Sequence, residues 1–188
     1  MIIIYTGNGK GKTSASVGQA IRAYGQGLSV GFCQFMKSDV QAGEQKILAE
    51  LLGTTFHIGG CGFFRKEEDR PKHRAKALET LAWVHHQLAN LDLIVLDESL
   101  YALRSGLLMR EEIEALIDAT EAIRQERSQQ KSEENEGHKA TCDGQIHLVF
   151  SGRDAPDWLI ERAHTVSVIQ EEKHAWKAGI KATRGIEF

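Results

Sequence analysis

The residues Gly7-Asn8-Gly9-Lys10-Gly11-Lys12-Thr13 bring two ammonium groups, a hydroxyl and three glycines into one short stretch. An apolar, β-prone run, Ile2-Ile3-Ile4, leads into it and a helical pattern leaves it. In that context successive backbone N–H groups converge on an anion and the helix N-terminus adds its dipole. The chemistry this suits is phosphate binding, with Lys12 reaching a phosphate and the Thr13 hydroxyl ligating Mg²⁺ (or Mn²⁺). The stretch departs from the common G-x-x-x-x-G-K-[ST] pattern. Thr6 stands where the first glycine is usual, Gly7 comes one step late, and Lys10 is a second cation inside the loop.

A second group with chemistry is Asp97-Glu98, which closes the apolar run Leu93-Ile94-Val95-Leu96. A strand that delivers a carboxylate to the sheet edge beside Thr13 completes a nucleotide–metal site. Glu98 is either a metal ligand or the activator of an attacking water, and the spacing leaves Asp97 and Glu98 both open as the ligand. Arg22 follows Thr13 by nine residues on the first helix, and taken alone it reads as a solvated helix residue. Lys37 and Arg153 follow expected strands and so belong to loops at the sheet's carboxyl edge, as do Lys173 and His174. His85 and His86 are neighbours on a helix and do not share a face. Cys33, Cys61 and Cys142 have no paired spacing, which predicts reduced thiols and no zinc site.

These residues need elements to position them. The pattern predicts strands over 28–35, 54–58, 91–96, 146–150 and 165–169. It predicts helices after the loop (Val17, Ala20, Ile21, Tyr24 on its stripe), over 45–52, over 72–89 (Ala77, Leu81, Val84, Leu88), from 111 to about 127 (Ile113, Leu116, Ile117, Ile123), and from Pro156. Residues 59–69 read as a loop. Alternating βα units with apolar strands predict an α/β fold, a mainly parallel sheet with helices on both faces. With the phosphate loop this is the three-layer sandwich of RecA-like P-loop NTPases. Ligands in such sheets bind at the strands' carboxyl ends. Residues 1–188 read as a single domain, with a polar, non-periodic stretch at about 128–145 as a flexible insertion. The net charge of -3 argues against nucleic acid as a partner. No apolar run is long enough to span a bilayer, and the strand-like start is unlike a signal peptide. Together with the cysteine usage, this predicts a cytoplasmic protein.

Several separated segments together carry a family likeness: TGNGKGKT, GQAIRAYGQGLSVGFCQFMKS, LDLIVLDE, SGRDAPDWLIERAHTVS and KHAWKAGIKATRGIEF. In these the chain resembles the ATP:corrinoid adenosyltransferases that act on cob(I)alamin and cob(I)yrinic acid a,c-diamide. The resemblance implies transfer of the 5′-deoxyadenosyl group of ATP to corrinoid Co(I), with tripolyphosphate leaving and ATP lying reversed in the loop. It implies catalytic roles for Lys12, Lys10 and Thr13, because a highly charged leaving group departs more easily toward fixed cations. It implies ATP binding by Asn8 to Thr13, with Ser14 adding a hydroxyl and Arg22 becoming a nucleotide contact. Arg153 and Lys173 are further candidates, and Asp97 or Glu98 joins Thr13 at the metal. It also implies a homodimer and a flavin-type reductase as the source of Co(I).

The chain departs from that family at named positions. Where members show a GFTW-like segment whose aromatics press on the corrinoid's lower face and displace its axial ligand, this chain has Gly62-Phe63-Phe64-Arg65. Phe63 matches the first aromatic. Arg65 replaces the usual tryptophan, for which Phe64 is a substitute by a one-residue shift, so Phe63 and Phe64 are the corrinoid-binding candidates. His164 and Val168 stand where Asp and Glu are usual. Two other functions compete: a P-loop ATPase or kinase transferring the γ-phosphate, and a non-catalytic regulator that binds ATP or corrinoid.

Overall fold

The computed structural model describes residues 1–38, 42–62, 64, 66–133 and 145–186, with backbone alone for 130–133. Six strands, β1 (Ile2–Thr6), β2 (Val30–Gln34), β3 (Phe56–Ile58), β4 (Leu93–Asp97), β5 (His147–Ser151) and β6 (Thr165–Val168), form one sheet in the order β3-β2-β4-β5-β1-β6. Every pairing is parallel. Six α-helices are described: α1 (Lys12–Gly25), α2 (Gly43–Leu52), α3 (Arg70–Gln87), α4 (Ser99–Arg104), α5 (Arg110–Glu133) and α6 (Asp157–Arg162).

Successive strand side chains point to opposite faces, and each face has its own core. Ile2, Ile4, Ile94, Leu96, Leu148 and Phe150 pack with Ala77, Leu81 and Val84 of α3 and Ile113, Leu116 and Ile117 of α5. Ile3, Phe32, Leu93, Val95 and Val149 pack on the other side with Ala20 and Ala23 of α1 and Leu48 of α2. The result is the expected α/β sandwich, with the four inner strands β1, β2, β4 and β5 buried and apolar almost throughout and the edge strands β3 and β6 more exposed. Truncating a fully buried residue such as Ile94 to alanine would cost roughly 2–5 kcal/mol. No described helix is long and apolar enough to cross a membrane.

The structure corrects some details. On α1 the buried face is Ser16, Ala20 and Ala23, while Ile21 and Tyr24 are 47% and 46% exposed. Small side chains let this helix lie close to the sheet, so its packing face is not its most apolar one. The stretch expected to leave regular structure at 128 continues α5 through Glu133, and 134–144 lies outside the described residues. Helix α4 begins at once after Glu98 and is only six residues long, too short for periodicity to reveal. His164, in place of the family's acid, keeps an acceptor there. Its Nδ1 accepts from the Ile2 N–H at 3.0 Å, and its own N–H donates to the Ile2 carbonyl at 2.9 Å.

Candidate functional site

The loop between β1 and α1 sits at the carboxyl edge of the sheet, shaped by glycine. Gly7 and Gly11 have φ of 100° and 119°, a region that side-chain-bearing residues rarely adopt. A Cβ on Gly7 would lie 2.4 Å from the Ile169 carbonyl oxygen, and one on Gly9 would lie 2.4 Å from that of Gln170. The Gly9 N–H donates to Ile169 at 2.8 Å, so the loop is fastened to the chain leaving β6.

Lys12 folds over the loop and donates to the Gly9 carbonyl at 2.6 Å. Burial lowers its pKa, and Arg153 lowers it further, while Asp97 opposes. Lys10 donates to the Ile186 carbonyl in the C-terminal segment. Two clefts flank these lysines. One, of about 340 Å³, is lined by Asn8, Lys10, Lys12, Thr13, Glu98 and Arg153, with Tyr101 and Ser151 on its far wall. The other, of about 540 Å³, is lined by Lys10, Lys12, Thr13, Ser14, Lys37 and Glu44. Lys37 faces Glu44 at 3.8 Å. Arg22 is exposed on α1 and lines neither cleft, nor does Lys173. His174 lines the first.

The two carboxylates are in different environments. Asp97 is fully buried. It accepts from Ser151 Oγ at 2.5 Å on Oδ1 and from Gln34 Nε2 at 3.2 Å on Oδ2. The Thr13 hydroxyl donates to both oxygens, at 3.1 and 3.3 Å. Burial raises the Asp97 pKa, while the hydrogen bonds from Ser151, Gln34 and Thr13 hold it down. With its proton committed to Asp97, the Thr13 hydroxyl keeps its lone pairs for a ligand. Glu98 is the residue that faces the cleft. It adopts a left-handed conformation (φ 60°) ahead of α4, and its N–H donates to Ser151 Oγ at 3.1 Å. Its Oε2 is buried and has no hydrogen-bond partner among the described residues. Burial and then the neighbouring Asp97 push its pKa up to about 7. A buried carboxylate and an oriented hydroxyl lining one cleft are hard-oxygen donors of the kind suited to Mg²⁺. Among the described residues no three His, Cys, Asp or Glu side chains converge on a metal position. Waters and phosphate oxygens would therefore complete the shell, as is usual for this ion.

Of the residues expected to meet a corrinoid, Phe63, like its neighbour Arg65, lies outside the described residues. Phe64 is anchored: the Arg70 guanidinium lies 4.7 Å from its ring centroid, His73 meets it edge-on at 5.6 Å, and the Tyr101 hydroxyl donates to its carbonyl at 3.3 Å. Tyr101 thus joins the wall of the loop cleft to this segment. Tyr101, Ser151 and Gln34 are site residues that sequence reading missed. The one signal was a glutamine interrupting the apolar run around Cys33.

Residues 1–126 and 139–188 match the family described as ATP:corrinoid adenosyltransferase BtuR/CobO/CobP. The chain belongs to the ATP:corrinoid adenosyltransferase family. Over its whole length it is 35% identical to the corrinoid adenosyltransferase of Pseudomonas aeruginosa, covering 83% of that protein. It is 33% identical to Corrinoid adenosyltransferase CobA of Salmonella typhimurium, covering 85%, and 33% to the corrinoid adenosyltransferase of Escherichia coli K12, also covering 85%. The adenosyltransferase match includes the loop, Asp97-Glu98 and the C-terminal segment. It passes over 127–138, at the end of α5 and beyond.

Proposed function

We propose that this enzyme transfers the 5′-deoxyadenosyl group of ATP to the Co(I) centre of a corrinoid and releases tripolyphosphate. Cobalt attacks the ribose C5′, the C5′–O5′ bond breaks, and its electron pair leaves with the tripolyphosphate. Co(I) is itself the nucleophile, so no protein base is required. The protein's task is to hold the reacting atoms together and to stabilise the departing charge. The observation that carries this reading is the cluster of Lys10, Lys12 and Arg153 around one cleft beside the loop. It offers three fixed cations to a leaving group carrying several negative charges.

In this reading Gly7 to Ser14 hold the triphosphate, and Lys12 exchanges the Gly9 carbonyl for a phosphate oxygen. Thr13, Glu98 and, through Thr13, Asp97 would hold Mg²⁺, which when bound neutralises triphosphate charge. Arg22, which lines neither cleft, is the weakest of the nucleotide candidates. Phe63 and Phe64 are assigned to the corrinoid. We place the reaction in the cytoplasm, with the protein as a homodimer and a flavin-type reductase supplying Co(I).

One feature favours a second reading, γ-phosphate transfer to water. Glu98, cleft-facing and with a pKa near neutrality, resembles a group poised to activate an attacking water. The two readings differ in their products. Anaerobic incubation with ATP, Mg²⁺ and reduced corrinoid should produce the absorbance change of a new cobalt–carbon bond together with tripolyphosphate. ADP and phosphate without that bond would replace the first reading by the second.

A further inference from the structure

Strand register sets three polar side chains at one level of the sheet. Gln34 of β2 is paired with Asp97 of β4, and Ser151 follows Phe150, the partner of Leu96. Gln34 is buried, and so is Gln45 of α2. Gln34 Nε2 donates to Asp97 Oδ2 at 3.2 Å, Gln45 Nε2 donates to Gln34 Oε1 at 2.7 Å, and Gln45 Oε1 accepts from the Ala42 N–H at 3.2 Å. The ends of this chain dictate its direction. An ionised carboxylate only accepts and a backbone N–H only donates, so neither amide can turn over without setting like groups against each other. The Gln45 link also satisfies a backbone donor at the start of α2, whose Gly43 and Glu44 wall the second loop cleft.

We propose that Gln34 and Gln45 are positioning residues for the nucleotide–metal site. They act in series, with Gln45 fixing the amide of Gln34 and Gln34 fixing the carboxylate plane of Asp97, from which Thr13 takes its orientation. Neither glutamine lines the loop clefts, so neither touches substrate. Isolated hydrogen bonds would serve folding alone. A directed series ending on the carboxylate that holds Thr13 links the start of α2 to the metal ligand. Partners hydrogen-bonded directly to a metal ligand typically alter metal affinity by 10–100-fold, and these glutamines, one and two links further out, should act at the low end of that range.

The inference rests on the Mg²⁺–ATP reading above, and the test separates the two. Binding of a non-reacting ATP analogue is measured by calorimetry, with and without Mg²⁺, on the wild type, Gln34→Leu, Gln45→Leu and the double variant. The expected result is unchanged metal-free affinity, a Mg²⁺ half-saturation point raised by roughly tenfold in each single variant, and a double variant no worse than Gln34→Leu. Additive losses, or an unshifted Mg²⁺ half-point in the single variants, would overturn the series. A wild type that binds the analogue equally with and without Mg²⁺ would overturn the metal reading and this inference with it. Gln45→Leu lies outside the sheet and carries the test alone if Gln34→Leu does not fold.

Discussion

The phosphate loop and Phe64 are held in different ways. The loop grows from β1, with β5 on one side and β6 on the other, and its partner carboxylate ends β4 between β2 and β5. Buried hydrogen bonds from Thr13, Gln34 and Ser151 meet on Asp97. The Phe64 segment follows β3, an edge strand of three residues, and is tied down by contacts from Arg70, His73 and Tyr101. The carboxylate that holds Thr13 is thus buried among the strands, where packed interiors resist displacement. Phe64 is partly buried and packs against the margin of the core. Under the proposed assignment, substitutions at Phe64 would leave the hydrogen bonds on Asp97 intact.

The difference between the two regions is open to direct test. Lys12→Ala should have the largest effect, on the order of 10²–10³-fold in turnover by loss of a leaving-group cation. It should do so with folding unchanged by circular dichroism. Near-normal turnover would remove the loop from the chemistry.

Glu98→Gln should act next, on stability. The folded-state pKa of Glu98 is about 7, above the ordinary glutamate value of 4.5. The folded protein therefore holds this proton more tightly than the unfolded chain. The contribution of Glu98 is most favourable below about pH 4.5 and is lost as pH rises through 7. Without metal, the Glu98→Gln variant should melt higher than wild type at pH 8, by up to roughly 3 kcal/mol of stability, and about the same as wild type at pH 5. An equal gain at both pH values would mean that Glu98 does not titrate in this window.

Phe64→Ala should cost about 2 kcal/mol, below the usual range for a fully buried aromatic because the ring is only partly covered. It should raise the KM for corrinoid while sparing that for ATP. Equal effects on both would erase the proposed division. Tyr101→Phe should be mildest. Loss of one hydrogen bond to the Phe64 carbonyl is worth about 1 kcal/mol, visible as a several-fold rise in corrinoid KM that exceeds any change in ATP KM.

What sequence reveals follows the same division. The loop was legible because Gly-Lys-Thr lies between an apolar strand and a helix, all within contiguous residues. Asp97-Glu98 was legible because an apolar strand that ends in acids points to a sheet edge. The choice between the two acids was not, because it depends on Ser151 and Gln34, which reach Asp97 from strands distant in the chain. Nothing in local periodicity places Gln34 opposite Asp97, since register arises from the packed sheet. The exposed Ile21 and Tyr24 show the same limit. Apolar spacing pointed to one face of α1, but Ser16, Ala20 and Ala23 gave the closer fit to the strands. Arg22 was assigned by resemblance, and its place outside the cleft walls is visible only once the helix is set on the sheet.

The fastening of Gly7 and Gly9 to Ile169 and Gln170 bears on how the protein is made. The loop leaves the ribosome before the carbonyls that it packs against, which are more than 150 residues downstream. The strands that flank β1, which are β5 and β6, also emerge long after it. A nascent or C-terminally shortened chain would carry every phosphate-binding residue without the arrangement that makes them a site. The shape of the loop thus depends on the chain that leaves β6 being in place.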